Sequence, residues 1–129
     1  MIGMGVPIAS AVVLEQLPKT GVAEVPFAFQ VAGQALPRGT YAVRQVDNGR
    51  DVRIWNEKVA GVGTNCAAVK RKFGTAQGAR LVFENHNGRY FLSEIWFDTD
   101  GRGLVLAGRG KEVAATNPDD REIRNILFQ

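Results

Sequence analysis

The chain has 129 residues, 45% of them hydrophobic and 22% charged, with one Cys and a formal net charge of +3. That is the make-up of one globular domain, and it excludes a disordered tail, a collagen-like repeat and a disulfide scaffold. No apolar run reaches the roughly 18–20 residues of a membrane-crossing helix, so no membrane span is expected.

Residues 1–21 read as an N-terminal arm or a first strand around Ile8–Leu14, and residues 22–129 as a single β-rich domain. Met1–Leu17 is mildly apolar but lacks the cationic start of a secretory signal, and no compartment is assigned. In Val22–Val31, Phe27, Phe29 and Val31 alternate with Ala28 and Gln30, the period of a half-buried strand. Ala32-Gly33-Gln34 and Leu36-Pro37-Arg38-Gly39 then read as turn chemistry. Thr40–Val46 alternates again, Asp47-Asn48-Gly49 carries the Asn-Gly pair of tight hairpins, and Val52–Trp55 returns.

Val59–Thr64 is a weaker strand with Gly61 and Gly63 on one face, where another backbone or a ligand can come close. Lys70–Gly78 reads as an exposed loop. Leu81–Glu84 is a strand, His86-Asn87-Gly88-Arg89 a turn, and Tyr90–Phe97 a strand with apolar residues on both sides. Phe91, Ile95 and Phe97 are assigned to one side and Tyr90, Leu92 and Trp96 to the other. Such a strand is central, or carries an interface on its outer face. Leu104–Ala107 is the next strand. Asn117-Pro118-Asp119-Asp120 then has the chemistry of a helix start, and Ile123, Ile126 and Leu127 fall on one helical stripe. The expectation is an all-β, mainly antiparallel fold: a small barrel or sandwich of about seven short strands with a short C-terminal helix.

Complete chemical motifs are missing. Asp98-Thr99-Asp100-Gly101-Arg102 resembles a calcium loop only until Arg102 and Arg109, which put cations at two liganding positions. Gly103–Arg109 has phosphate-loop glycine spacing without the Lys-Ser/Thr that grips phosphate and magnesium. Nucleophilic catalysis would need Cys66 activated by His86, with Glu84 to orient it. Cys66 lies among small apolar residues, as a core thiol does, and His86 falls at a turn, where solvation is expected. No catalytic residue, cofactor or metal ligand is assigned.

Charge is uneven. Residues 37–80 hold nine Lys or Arg against Asp47, Asp51 and Glu57. This basic stretch supplies the candidates for a ligand or anion surface: Arg44, Arg53, Trp55, Lys70, Arg71 and Lys72. Arg44 beside Val43 and Arg53 between Val52 and Ile54 alternate with apolar residues as on a strand's solvent side. The several surface aromatics that a nucleic-acid groove needs are missing, which argues against nucleic acid as the partner.

Two segments carry a resemblance. Pro26–Tyr41 is similar to P-F-x-F-x-V-x-G-x-x-L-P-x-G-x-Y, and Tyr90–Trp96 to Y-F-L-S-x-[IV]-W, blocks of a family of small uncharacterised proteins common in Acidobacteria. The resemblance spans about Val22 to the chain's last segment and implies no catalytic residues. Many members look exported, whereas this sequence lacks a clear signal and has Glu84-Asn85-His86 where relatives often show His-Arg-Tyr.

The functional expectation is a non-enzymatic binding or scaffold domain, with a small apolar ligand held in a β-barrel. The alternative is a basic face that binds nucleic acid or an anionic surface; a small enzyme built on Cys66 and His86 ranks last. The second face of the Tyr90–Phe97 strand is expected to be covered by the C-terminal helix stripe, by the N-terminal segment around Ile8–Leu14, or by a second copy of the chain in a homodimer across Trp96 or the helix.

Overall fold

The computed structural model describes residues 20–46, 50–74, 78–97, 102–106 and 121–129. The expected arm around Ile8–Leu14, the Asn48-Gly49 turn, the calcium-like loop up to Gly101 and the helix start at Asn117–Asp120 lie outside them. Among the described residues there are ten strands: β1 Thr20–Val25, β2 Phe29–Val31, β3 Gln34–Leu36, β4 Gly39–Val46, β5 Asp51–Asn56, β6 Gly63–Phe73, β7 Arg80–His86, β8 Arg89–Trp96, β9 Arg102–Leu106 and β10 Arg121–Leu127. No helix forms among the described residues.

The strands make one mixed, mostly antiparallel sheet in the order β1-β4-β5-β6-β9-β8-β2-β3, with β7 and then β10 continuing from β8. Among the described residues, one pairing is parallel, joining β2 to β8 with Phe29 opposite Tyr90 and Gln30 opposite Phe91. Since β7 takes one edge of β8 along its length, β9 and β2 divide the other. No ladder closes the sheet between β1 and β10. The two meet only where Gln129 N donates to Val22 O at 2.7 Å and the Phe128 ring occupies the space a side chain at Gly21 would need.

Aromatic rings pack against one another in the core. Phe27 stacks on Tyr90 at 3.7 Å between centroids and meets Phe83 edge-on at 4.9 Å. Phe83 in turn meets Phe29 at 5.2 Å, and Phe29 meets Tyr41 at 5.1 Å. Buried Val25, Val43, Val52, Ile54, Leu81 and Ile95 complete the core around them. Tyr41 keeps its polar end satisfied by donating to Pro37 O at 2.6 Å. Burial pushes the phenol above its ordinary pKa, while a hydrogen bond with Asn56, its cross-strand partner, acts against that shift.

Several expectations change. The Ile123, Ile126, Leu127 stripe lies on a strand, β10, which pairs with β7 from Arg121–His86 to Leu127–Arg80. A helix of two or three turns is marginal by itself, whereas an open β7 edge offers a full ladder and lets Ile126 and Phe128 join the core. The Lys70–Gly78 loop is also displaced, because β6 continues through Phe73 alongside β9. The weak strand starts at Gly63, since Glu57–Gly61 forms the bend before it. The segment read as turn chemistry holds β3, joined to β2 through Ala32 and Gly33, both with positive φ, the geometry of a tight hairpin.

The β8 strand is buried on both sides as expected, but its faces are not those read from strict alternation. Phe83 pairs with Leu92 and Val82 with Glu94, leaving Ser93 as the extra residue of a bulge; its Oγ donates to Val82 O at 3.2 Å. The bulge switches parity, so Tyr90, Leu92, Ile95 and Phe97 join the inner core, while Trp96 shares the outer face with Glu94, whose Oε1 its Nε1 contacts at 3.0 Å. Trp96 is 3% exposed, so it offers no dimer surface; the large apolar side chains exposed among the described residues are Val59, Ile123 and Leu127.

Two outcomes test this packing. Ending the chain at Asp120 removes β10 and uncovers the β7 edge, so the far-UV circular dichroism melt is expected to lose its cooperative transition; an unchanged melt refutes a structural role for β10. Tyr41→Phe is expected to cost about 1 kcal/mol in urea unfolding through the lost hydrogen bond. Because the folded-state pKa is raised, Tyr41 ionisation leaves stability intact below about pH 10 and lowers it as pH rises further. The Phe variant lacks that part of the alkaline loss.

Candidate functional site

Alternation along β5 buries Val52 and Ile54 and turns Asp51, Arg53 and Trp55 outward. The β4–β5 register sets Arg44 directly opposite Arg53, and Ala42 opposite Trp55. On the other side, Arg53 faces Asn65 and Trp55 faces Gly63 across the β5–β6 ladder. Directly opposed side chains on one face stand roughly 5 Å apart at Cβ, and like charges so placed repel. No carboxylate among the described residues forms an ion pair with either guanidinium. Arg53 instead places its guanidinium carbon 5.2 Å from the centre of the Trp55 ring.

Beside this ring runs an open groove of about 420 Å³, lined by Arg53, Trp55, Thr64, Asn65 and the hairpin residues Gly61 and Gly63. Gly63 is required here, since a Cβ would run into the Ile54 carbonyl and Trp55. The hairpin tip is held from below. Buried Asn56 accepts through Oδ1 from the Lys58 and Val59 backbone amides at 2.9 and 3.0 Å, and its backbone N–H donates to Val62 O at 2.8 Å.

The six sequence candidates therefore divide. Arg44, Arg53 and Trp55 come together on one solvent face. Lys70, Arg71 and Lys72 sit farther along β6, opposite Val105, Leu104 and Gly103 of β9 and beyond a bulge at Val69. Lys70 is five residues from Asn65, roughly 17 Å along an extended strand.

The nucleophile-and-base set is also separated. Cys66 is buried in the inner core. His86 and Glu84 lie on the outer face of β7, whose inner face carries Leu81 and Phe83. His86 is buried rather than solvated, because β7 runs through it before the Asn87-Gly88 turn; its Nε2 is 3.3 Å from Glu84 Oε1 and its ring meets Phe91 edge-on. Glu84 and Glu94 share that outer face. Among the described residues, no three His, Cys, Asp or Glu side chains form a metal-ligand group.

Sequence reading placed Arg44 and Arg53 on the solvent side but did not see that they oppose one another. The available signal was the hairpin itself: counting outward from a tight Asn-Gly turn pairs these two positions. The two blocks behind the acidobacterial resemblance also meet in space, through the β2–β8 pairing and the Phe27–Tyr90 stack.

Because the opposed cations repel, Arg44→Glu is expected to raise stability in low salt by a few tenths to about 1 kcal/mol, with the gain shrinking as salt is added. Chemical denaturation at two ionic strengths measures this; a destabilised variant means the two cations do not interact as their register implies. The chain matches no protein-family model, no curated protein and no solved structure in comparison with each.

Proposed function

We propose that the protein is a non-catalytic binding module that holds an anionic ligand on the outer face of β4, β5 and β6. One observation carries this reading: Arg44 and Arg53 face each other on the solvent side with no acidic partner among the described residues. Such an arrangement costs stability in the free protein and is relieved when an anion sits between the two cations. Guanidinium forks suit carboxylate and phosphate, which they bind through paired hydrogen bonds.

The other ligand expected from the sequence, a small apolar molecule between the strands, has less support. The Tyr90, Phe27, Phe83, Phe29 and Tyr41 rings already touch one another there. The barrel is proposed in a weaker form, as a sheet curled until its edges meet at one seam, supported by the Gln129–Val22 hydrogen bond. Membership of the acidobacterial family is likewise a proposal. The direct packing of its two blocks supports a structural role for their residues.

Retention on immobilised heparin tests the anion face. Removing two positive charges as Arg44→Gln/Arg53→Gln is expected to lower the eluting salt more than removing two as Lys70→Gln/Lys72→Gln. Equal shifts mean that net charge alone sets retention, and a larger shift for the lysine pair moves recognition to the far half of β6. Either result overturns the reading.

A further inference from the structure

We infer that the groove beside Trp55 is a mononucleotide site, with a planar base against the indole and the phosphate on the Arg44–Arg53 pair. This rests on the anion-binding reading above and names its ligand class. The groove has two chemically different ends. At the Arg53 end, Arg44 stands across the β4–β5 ladder just outside the groove's lining, so the two guanidiniums present forked donors to a compact anion there, and a phosphate monoester carries nearly two negative charges at neutral pH. At the other, a half-exposed indole stands next to the hairpin backbone at Gly61, where even an added Cβ would meet nothing within 4 Å, so a flat ring has room to lie beside it.

The spacing joins these ends into one site. Arg53 and Trp55 are two residues apart on β5, roughly 7 Å between equivalent atoms, which is comparable with the reach from a nucleotide's 5′-phosphate to its base. The groove volume of about 420 Å³ falls within the range of small-molecule sites. Asn65, across the ladder from Arg53, adds an amide with both donor and acceptor capacity at the rim. Arg53 serves both ends, since it lies over the Trp55 ring while facing Arg44.

A single ring decides between a free nucleotide and a nucleic-acid strand. Strands are held by several aromatic platforms in succession. Trp55 is the one aromatic residue in this groove, so it offers stacking for one base and the site fits a free nucleotide.

The protein carries its own probe. It has two Trp, and Trp96 is buried, which leaves Trp55 as the indole a ligand can reach. Titration with AMP is expected to quench emission saturably, and the quench is expected to vanish in Trp55→Phe. By calorimetry, Arg53→Gln is expected to weaken AMP binding about tenfold or more. Trp55→Leu is expected to weaken AMP similarly while leaving ribose 5-phosphate binding unchanged. Melting curves confirm that these surface variants remain folded.

Ribose 5-phosphate binding as tightly as AMP overturns the nucleotide assignment and leaves the anion face intact. Failure of AMP, ribose 5-phosphate and inorganic phosphate alike overturns both. An oligodeoxythymidylate that binds much more tightly than the mononucleotide makes a strand the ligand and overturns the assignment to a free nucleotide.

Discussion

A strand has two edges, and β8 must serve three neighbours. Its pairing with β7 consumes one edge completely, so β9 and β2 share the other, β9 near Ile95 and β2 near Tyr90. Everything else in the fold follows from that division. The β9 half leads through β6 to β5, β4 and β1, while the β2 half carries the short β2–β3 hairpin inward until Phe27 and Phe29 reach Phe83. The parallel β2–β8 contact is only two residue pairs long. It is held less by its ladder than by the Phe27–Tyr90 stack, since burying such rings yields more than a few net hydrogen bonds.

What was legible in the sequence was mostly what depends on neighbours in the chain. The alternation at Tyr41–Arg44 and Val52–Trp55 and the Asn87-Gly88 turn are local signals, and each appears where its chemistry places it. The single strand expected over Val22–Val31 is instead divided into β1 and β2 by a bend at Pro26–Ala28, where proline has no N–H for a ladder. The double-sided apolarity of Tyr90–Phe97 was legible too. Its faces were not, because Ser93 adds one residue to β8 and reverses parity within a single strand. Nothing about serine announces a bulge. It depends on the partner strand, as does β10, whose apolar residues fit a helical stripe equally well until β7 supplies a ladder.

The candidate site divides along the same line. Outward placement of Arg53 and Trp55 follows from alternation, and so does the inward course of Val52 and Ile54. The division of the basic residues does not. Lys70, Arg71 and Lys72 are close in sequence to Cys66, yet the long β6 carries them to the part of the sheet that pairs with β9, while Asn65 stays beside Arg53. A positive stretch in the sequence thus becomes separate places in the fold. The nearly complete burial of Glu84 and His86 was hidden for a similar reason, since their burial comes from tertiary packing around β7.

The seam between Val22 and Gln129 also sets an order in time. Val22 leaves the ribosome roughly a hundred residues before Gln129, and at about 5–20 residues per second that interval is on the order of 5–20 s. During it β4 can already pair with β1 and β5 with β4, but Phe128 and Gln129, which meet the other edge of β1, are not yet made. Nascent chains therefore expose a strand edge for seconds, the period in which the protein is most open to pairing with another copy of itself. Synthesis of Phe128 and Gln129 shortens that exposed edge, when Phe128 settles on Gly21 and Gln129 bonds to Val22.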